Sequence, residues 1–215
     1  MTAIANNYIV QTKELQNAIT PPIAVEMLKQ GNKRFVGNKR RAINLNEQQY
    51  HTGSGQYPFA AVLGCIDSRV PAELIFDQGI GDIFNVRIAG NFVNQDILGS
   101  LEFACKVAGA KAILVLGHSS CGAVKGACDD VKLGNLTEML KNIKPAVKII
   151  SDENETSSLE NTEFVQMVAE KNVELTIRNI KDQSDILMEM YLNKEIAIIG
   201  GMYDVETGLV NFITR

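Results

Sequence analysis

Short apolar runs that stop at turn residues and alternate with helical stretches constrain this chain most. Phe59-Ala-Ala-Val-Leu-Gly-Cys65 is one such run. Ile83-Phe-Asn-Val-Arg-Ile-Ala89 is a second, stopped by Gly90-Asn91. Ile113-Leu-Val-Leu116, closed by Gly117, is a third, and Ile196-Ala-Ile-Ile199 a fourth. Runs of this length flanked by turn residues suit buried parallel strands. Helical signals lie between them. Thr20-Pro21-Pro22 caps and opens a helix predicted to reach about Phe35. Ile97, Leu101, Ala104, Cys105 and Ala108 fall on one face of a 3.6-residue period that Gly109 ends. A short helix is expected over Pro71–Asp77 and another from about Cys121. Residues 135–192 read as helical, with a polar break at Ser151–Ser158. The polar stretch up to Gln56 reads as an irregular connection. Tyr203–Phe212 reads as a final strand pair turning near Thr207-Gly208. Alternating strands and helices place the chain in the α/β class, with a central, mainly parallel β-sheet flanked by helices.

At 215 residues the chain suits one large domain without disulfide staples. A formal charge of −4 weighs against a nucleic-acid partner, which would favour a basic stripe. No apolar run reaches ~18 residues, so no membrane span is expected. The first residues lack a basic region followed by an apolar core, so they do not read as a signal peptide, and the expected location is cytoplasmic.

Four cysteines are present: Cys65, Cys105, Cys121 and Cys128. In a reducing compartment, scattered cysteines more often signal metal or catalysis than disulfides. Cys65 ends the first predicted strand. His118 follows the third, and Cys121 lies three residues further on. Ligands in α/β sheets bind beyond the carboxyl ends of the strands. If the two strands are neighbours, these three side chains converge there. Two thiolates and an imidazole suit zinc, and three protein ligands leave a fourth position for chemistry. A lone cysteine after a strand is more often a small buried hydrophobe, and His-x-x-Cys alone is a weak motif. Asp67 and Arg69 raise the odds. If the backbone stays extended they face the same side as Cys65 and can pair bidentately beside the metal. Cys105, on the apolar face of its helix, reads as core packing, and Cys128, seven residues after Cys121, could approach the metal only by a rearranged helix.

Cys65-Ile-Asp-Ser-Arg-Val-Pro71 and Gly117-His-Ser-Ser-Cys-Gly122 resemble the two signature loops of the β-class carbonic anhydrases. Asp82–Asn91 resembles the strand between those loops, and Ala24–Phe35 the family's N-terminal helical arm. The resemblance implies one Zn2+ per chain on Cys65, His118 and Cys121. It implies reversible hydration of CO2 to bicarbonate and a proton by zinc-bound hydroxide, with Asp67 and Arg69 as the catalytic dyad. It also implies substrate-binding roles for Gln56, across a subunit interface, for Phe84 and Ala89 in an apolar CO2 pocket, and for the backbone N–H of Gly122. Phe103 stands where many plant-type members have tyrosine. The organisation expected is an N-terminal segment, 1–19, and a single domain, 20–215, that includes the arm. The expected assembly is a homo-oligomer, dimer or tetramer. One rival keeps the zinc but hydrolyses carbon disulfide or carbonyl sulfide. Others are a non-catalytic zinc-stabilised protein and a thiol enzyme using Cys65 or Cys121.

Overall fold

The computed structural model describes residues 10–153 and 162–213. Among these residues, five strands form one sheet: β1 (Ala60–Gly64), β2 (Ile83–Arg87), β3 (Ala112–His118), β4 (Ala197–Tyr203) and β5 (Val210–Ile213). Their order is β2-β1-β3-β4-β5. The β1–β2, β1–β3 and β3–β4 pairs are parallel, and β5 returns antiparallel to β4. The predicted final pair is therefore β4 itself turning back through Asp204–Leu209.

Among the described residues, ten α-helices surround the sheet: α1 (Lys13–Ala18), α2 (Pro21–Val36), α3 (Leu45–Thr52), α4 (Ala72–Ile75), α5 (Gln95–Glu102), α6 (Gly122–Cys128), α7 (Gly134–Leu140), α8 (Lys144–Glu153), α9 (Thr162–Gln183) and α10 (Asp185–Leu192). Every residue of β1 and β3 is buried, as expected of central strands covered on both faces. Side-chain alternation splits them between two cores. Ala61, Leu63, Cys65, Ile113 and Val115 face the core built with α5, α6, α8 and α9. Ala60, Val62, Ala112, Leu114 and Leu116 face the core built with α2 and α4.

Helix α2 docks on its own chain. Ala24, Leu28, Gly31 and Asn32 are buried. The Asn32 amide donates to the carbonyl of Gly208 at 2.9 Å, and its oxygen accepts from Val210 N at 2.9 Å. Its outer face leaves Ile23 and Val36 exposed. Helix α1, within segment 1–19, is tied down by Gln16, whose amide donates to the carbonyls of Pro58 and Ala108.

The structure corrects three local readings. The stretch before Gln56 contains α3, because Asn44 caps it by accepting from Glu47 N. The helix predicted to run to Ala108 is α-helical only to Glu102. It then widens into a π-turn over Phe103–Val107. Of the polar break at 151–158, residues Ser151–Glu153 complete α8, and the remainder lies outside the described residues.

Candidate metal centre

The register Gly64↔Leu116 sets the carboxyl ends of β1 and β3 side by side. Cys65 leaves β1 one residue beyond that pair, and His118 is the last residue of β3. Ser120 then adopts a left-handed φ of +54°, which turns the chain so that Cys121 becomes the residue preceding α6. Adjacent parallel strands and one tight turn thus gather three side chains distant in sequence. The ligand atoms of Cys65, His118 and Cys121 all lie within 4.8 Å of one another, and all three residues are buried. Among the described residues this is the one such cluster.

The chemistry of this donor set fits a zinc ion. His118 Nδ1 lies 2.9 Å from the carbonyl of Ser119, so it carries the proton and leaves Nε2 a bare lone pair. Nε2 is buried and has no hydrogen-bond partner. An orphaned acceptor in a protein interior is costly, and here it faces two cysteine sulfurs. Cys65 Sγ accepts from the backbone N–H of Gly90 at 3.4 Å. The thiols are coupled: the hydrogen bond from Cys121 pushes Cys65 down, and the same contact together with burial pushes Cys121 up. A cation bound between the two sulfurs would displace the protons the pair still holds. Cys105 and Cys128 are different. Burial raises them to about 12 and about 11, which leaves them inert thiols in the core.

Asp67 and Arg69 do pair, by a route other than extended backbone. The chain turns after Cys65, with Val70 N donating to Asp67 O at 3.0 Å. Arg69 Nε and Nη2 donate to Asp67 Oδ1 and Oδ2 at 2.9 and 2.8 Å. Arg69 N adds a bond to Oδ1 at 2.9 Å. These bonds hold the Asp67 carboxyl well below the usual carboxylate range. Arg69 Nη2 also reaches the Ser120 carbonyl at 3.2 Å, linking the two loops. Asp67 Oδ2 lies 4.0 Å from His118 Nε2, at the edge of the cluster.

The other expected site residues are spread out. Gly122 begins α6 and is exposed, with nothing within 4 Å of where a Cβ would sit. Its N–H belongs to the first turn, which has no intrahelical acceptor. Ala89 lies between Ile88, whose N–H closes onto Gly64 O, and Gly90. Phe84 shares the Cys65 face of the sheet but pairs with Ala61, four residues short of Cys65. Its ring meets Phe103 edge-on at 6.2 Å, and both line a cleft of about 1090 Å³ along β2. Cys65, His118 and Cys121 are not in that lining. Gln56 is exposed and precedes β1, at the opposite end of the sheet from Cys65.

Arg87 was not singled out from the sequence. Its Nε donates to Cys65 O at 2.8 Å and its Nη2 to Asp67 O, so β2 braces the first loop through both carbonyls. The available signal was a charge inside a mostly apolar run.

The comparisons with known proteins bear on the family and the fold. The sequence model of the family described as carbonic anhydrase matches residues 60–210. Carbonic anhydrase 2 of Mycobacterium tuberculosis is 35% identical over 196 residues, which cover 88% of this chain and 91% of that protein. Among solved structures, the β-carbonic anhydrase CafA of Aspergillus fumigatus superposes with a TM-score of 0.72 at 25% identity, covering 89% of each chain. One of two tetrameric β-carbonic anhydrases of Sordaria macrospora gives 0.71 at 25% identity, covering 89% of this chain and 97% of that one. With a family match over most of its length and the same fold around a Cys-His-Cys cluster, the chain belongs to the β-class carbonic anhydrases.

Proposed function

We propose that Cys65, His118 and Cys121 hold one Zn2+ per chain, and that the site they form carries the family's reaction. That reaction is the reversible hydration of CO2 to bicarbonate and a proton. Zinc, when bound, supplies a Lewis acid that lets water serve as a strong nucleophile at neutral pH. The chain's own residues do the rest. Asp67, kept ionised and pointed by Arg69, accepts a hydrogen bond from the attacking oxygen and aims its lone pair at carbon. Arg87 and Gly90 fix the loop that carries Cys65 and Asp67. The N–H of Gly122, in the first turn of α6 and without an intrahelical acceptor, binds the bicarbonate oxygens. Ala89 supplies apolar lining that CO2 prefers, and Phe84, farther along β2, supplies such lining to a second copy's site. Asp67, water and buffer carry the proton out.

The observation that carries this reading is the buried, unpartnered Nε2 of His118 facing two thiols, with a paired carboxylate 4.0 Å away. A structural zinc would call for a fourth protein ligand, and the cluster offers three.

Gln56 sits at the far end of the sheet from the cluster of its own chain, so its substrate-binding role is to a second copy's site. The assembly proposed is accordingly a homo-oligomer, dimer or tetramer. Exposed Ile23, Val36, Phe103 and Val107 are apolar surface for such contacts. No helix among the described residues is long and apolar enough to cross a membrane. Four free cysteines fit the reducing cytoplasm, the location we assign.

The test is stopped-flow CO2 hydration on protein of measured zinc content, with carbon disulfide and carbonyl sulfide assayed in parallel. One zinc per chain with CO2 turnover that Cys65→Ser abolishes is the expected result. A zinc-loaded protein that hydrates CO2 no faster than buffer would overturn the reading, and turnover of only a sulfur gas would replace it.

A further inference from the structure

Gly90 is held from three sides. Its φ of +82° is left-handed, and an added Cβ would come within 2.4 Å of Ile143 Cδ1. Its N–H donates to Cys65 Sγ at 3.4 Å. Its carbonyl belongs to the next peptide, and that peptide is fixed at both ends. The N–H end, on Asn91, donates to Ile88 O at 3.0 Å. The carbonyl end accepts from Asn172 Nδ2 at 2.8 Å, across 82 residues of sequence.

Asn172 lies near the middle of α9 and is 2% exposed. Asparagine is a poor residue for a helix interior, and a buried amide is costly without a partner. A leucine would suit both the helix and the surrounding core better. The partner that Asn172 has is the Gly90 carbonyl. Its neighbour Val173 packs where β3 and β4 carry no side chain. A Cβ at Gly117 or Gly200 would lie 2.6 or 2.8 Å from it. Helix α9 therefore approaches the sheet closely enough for a short amide side chain to reach the turn beside the cluster.

We infer that Asn172 is a positioning residue for the Cys65 thiolate. By fixing the Gly90 carbonyl it orients residue 90, whose N–H the sulfur accepts. An N–H donor draws charge from a thiolate, so a metal held by that sulfur is left more electrophilic. The inference rests on the zinc reading above.

The test compares Asn172→Leu with Thr176→Val, a substitution one turn along α9 at another buried polar residue, also 2% exposed. Zn(II) affinity is measured by chelator competition, and the thiolate-to-metal absorption band is recorded on Co(II)-substituted protein. Asn172→Leu is expected to weaken Zn(II) binding about tenfold or more and to shift the Co(II) band, whereas Thr176→Val does neither. Asn172→Gln, which keeps a donor, should recover part of both. Asn172→Ala gives the same readouts should the leucine variant not fold. A folded Asn172→Leu or Asn172→Ala protein with parental Zn(II) affinity and Co(II) spectrum would overturn the inference alone. A parent protein that binds no Zn(II) would overturn it together with the zinc reading.

Discussion

The two oxygens of Asp67 are taken by two nitrogens of Arg69, at 2.9 and 2.8 Å, and a backbone N–H of the same arginine reinforces one of them. A carboxylate so engaged at the edge of a Cys-His-Cys cluster is oriented before any substrate arrives. Orientation of this kind comes from the planar, forked guanidinium, which lysine lacks.

Asp67→Asn removes the charge and replaces one accepting oxygen by a donor while keeping the shape. Turnover should fall by about 10²-fold or more, with zinc content unchanged. Arg69→Lys should also lower turnover, since a point charge cannot hold both oxygens. Stopped-flow rates normalised to zinc check this, and parental rates in Asp67→Asn would remove Asp67 from the mechanism.

The same pair has a consequence for stability in acid. Arg69 depresses the folded-state pKa of Asp67, so its stabilisation is complete above the unfolded value, ~3.9. It is lost as pH falls below that value toward the folded one. Arg69 is 49% exposed, so solvent screens the pair and the effect should be small. In metal-free protein, the stability gap between parent and Asp67→Asn should be constant above about pH 5 and narrow below pH 4. A gap that widens in acid would contradict this.

Metal uptake should be coupled to protons. In the metal-free pair Cys65 is pushed down and Cys121 up. At neutral pH, zinc binding should release fewer than two protons from the two thiols, because Cys65 is held below the ordinary thiol range. Calorimetry in buffers of different ionisation enthalpy reads this number. A release near two would mean that both thiols begin protonated.

Helix α2 should be sensitive at Gly31, where a Cβ would lie 1.8 Å from the backbone oxygen of Phe76. Gly31→Ala should cost about 1–3 kcal/mol or more by forcing the helix off the core. Urea unfolding at matched protein concentration checks it, and an unchanged midpoint would mean that the helix is not docked as described.

Much of this was legible because the residues themselves dictate it. Continuous apolar runs closed by glycine mark β1 and β3, and chemistry-bearing residues stand at their ends. The pairing of β1 with β3 is a tertiary fact that periodicity alone leaves conditional. The π-turn at Phe103–Val107 was hidden because its apolar spacing also fits an ordinary helix. Helix α3 was hidden because its residues are mostly polar, although Asn44 with Glu47 three residues on was a readable cap. The contacts made by Arg87 and Asn172 are long-range, to positions 22 and 82 residues away, and no local pattern announces them.

Zinc K-edge X-ray absorption on the zinc-loaded protein tests the central claim most directly. The account predicts two sulfurs at about 2.3 Å and two nitrogen or oxygen neighbours at about 2.0 Å. It further predicts that Cys65→Ser and Cys121→Ser each remove one sulfur. A first shell with no sulfur, or one that keeps both sulfurs after either substitution, would contradict it.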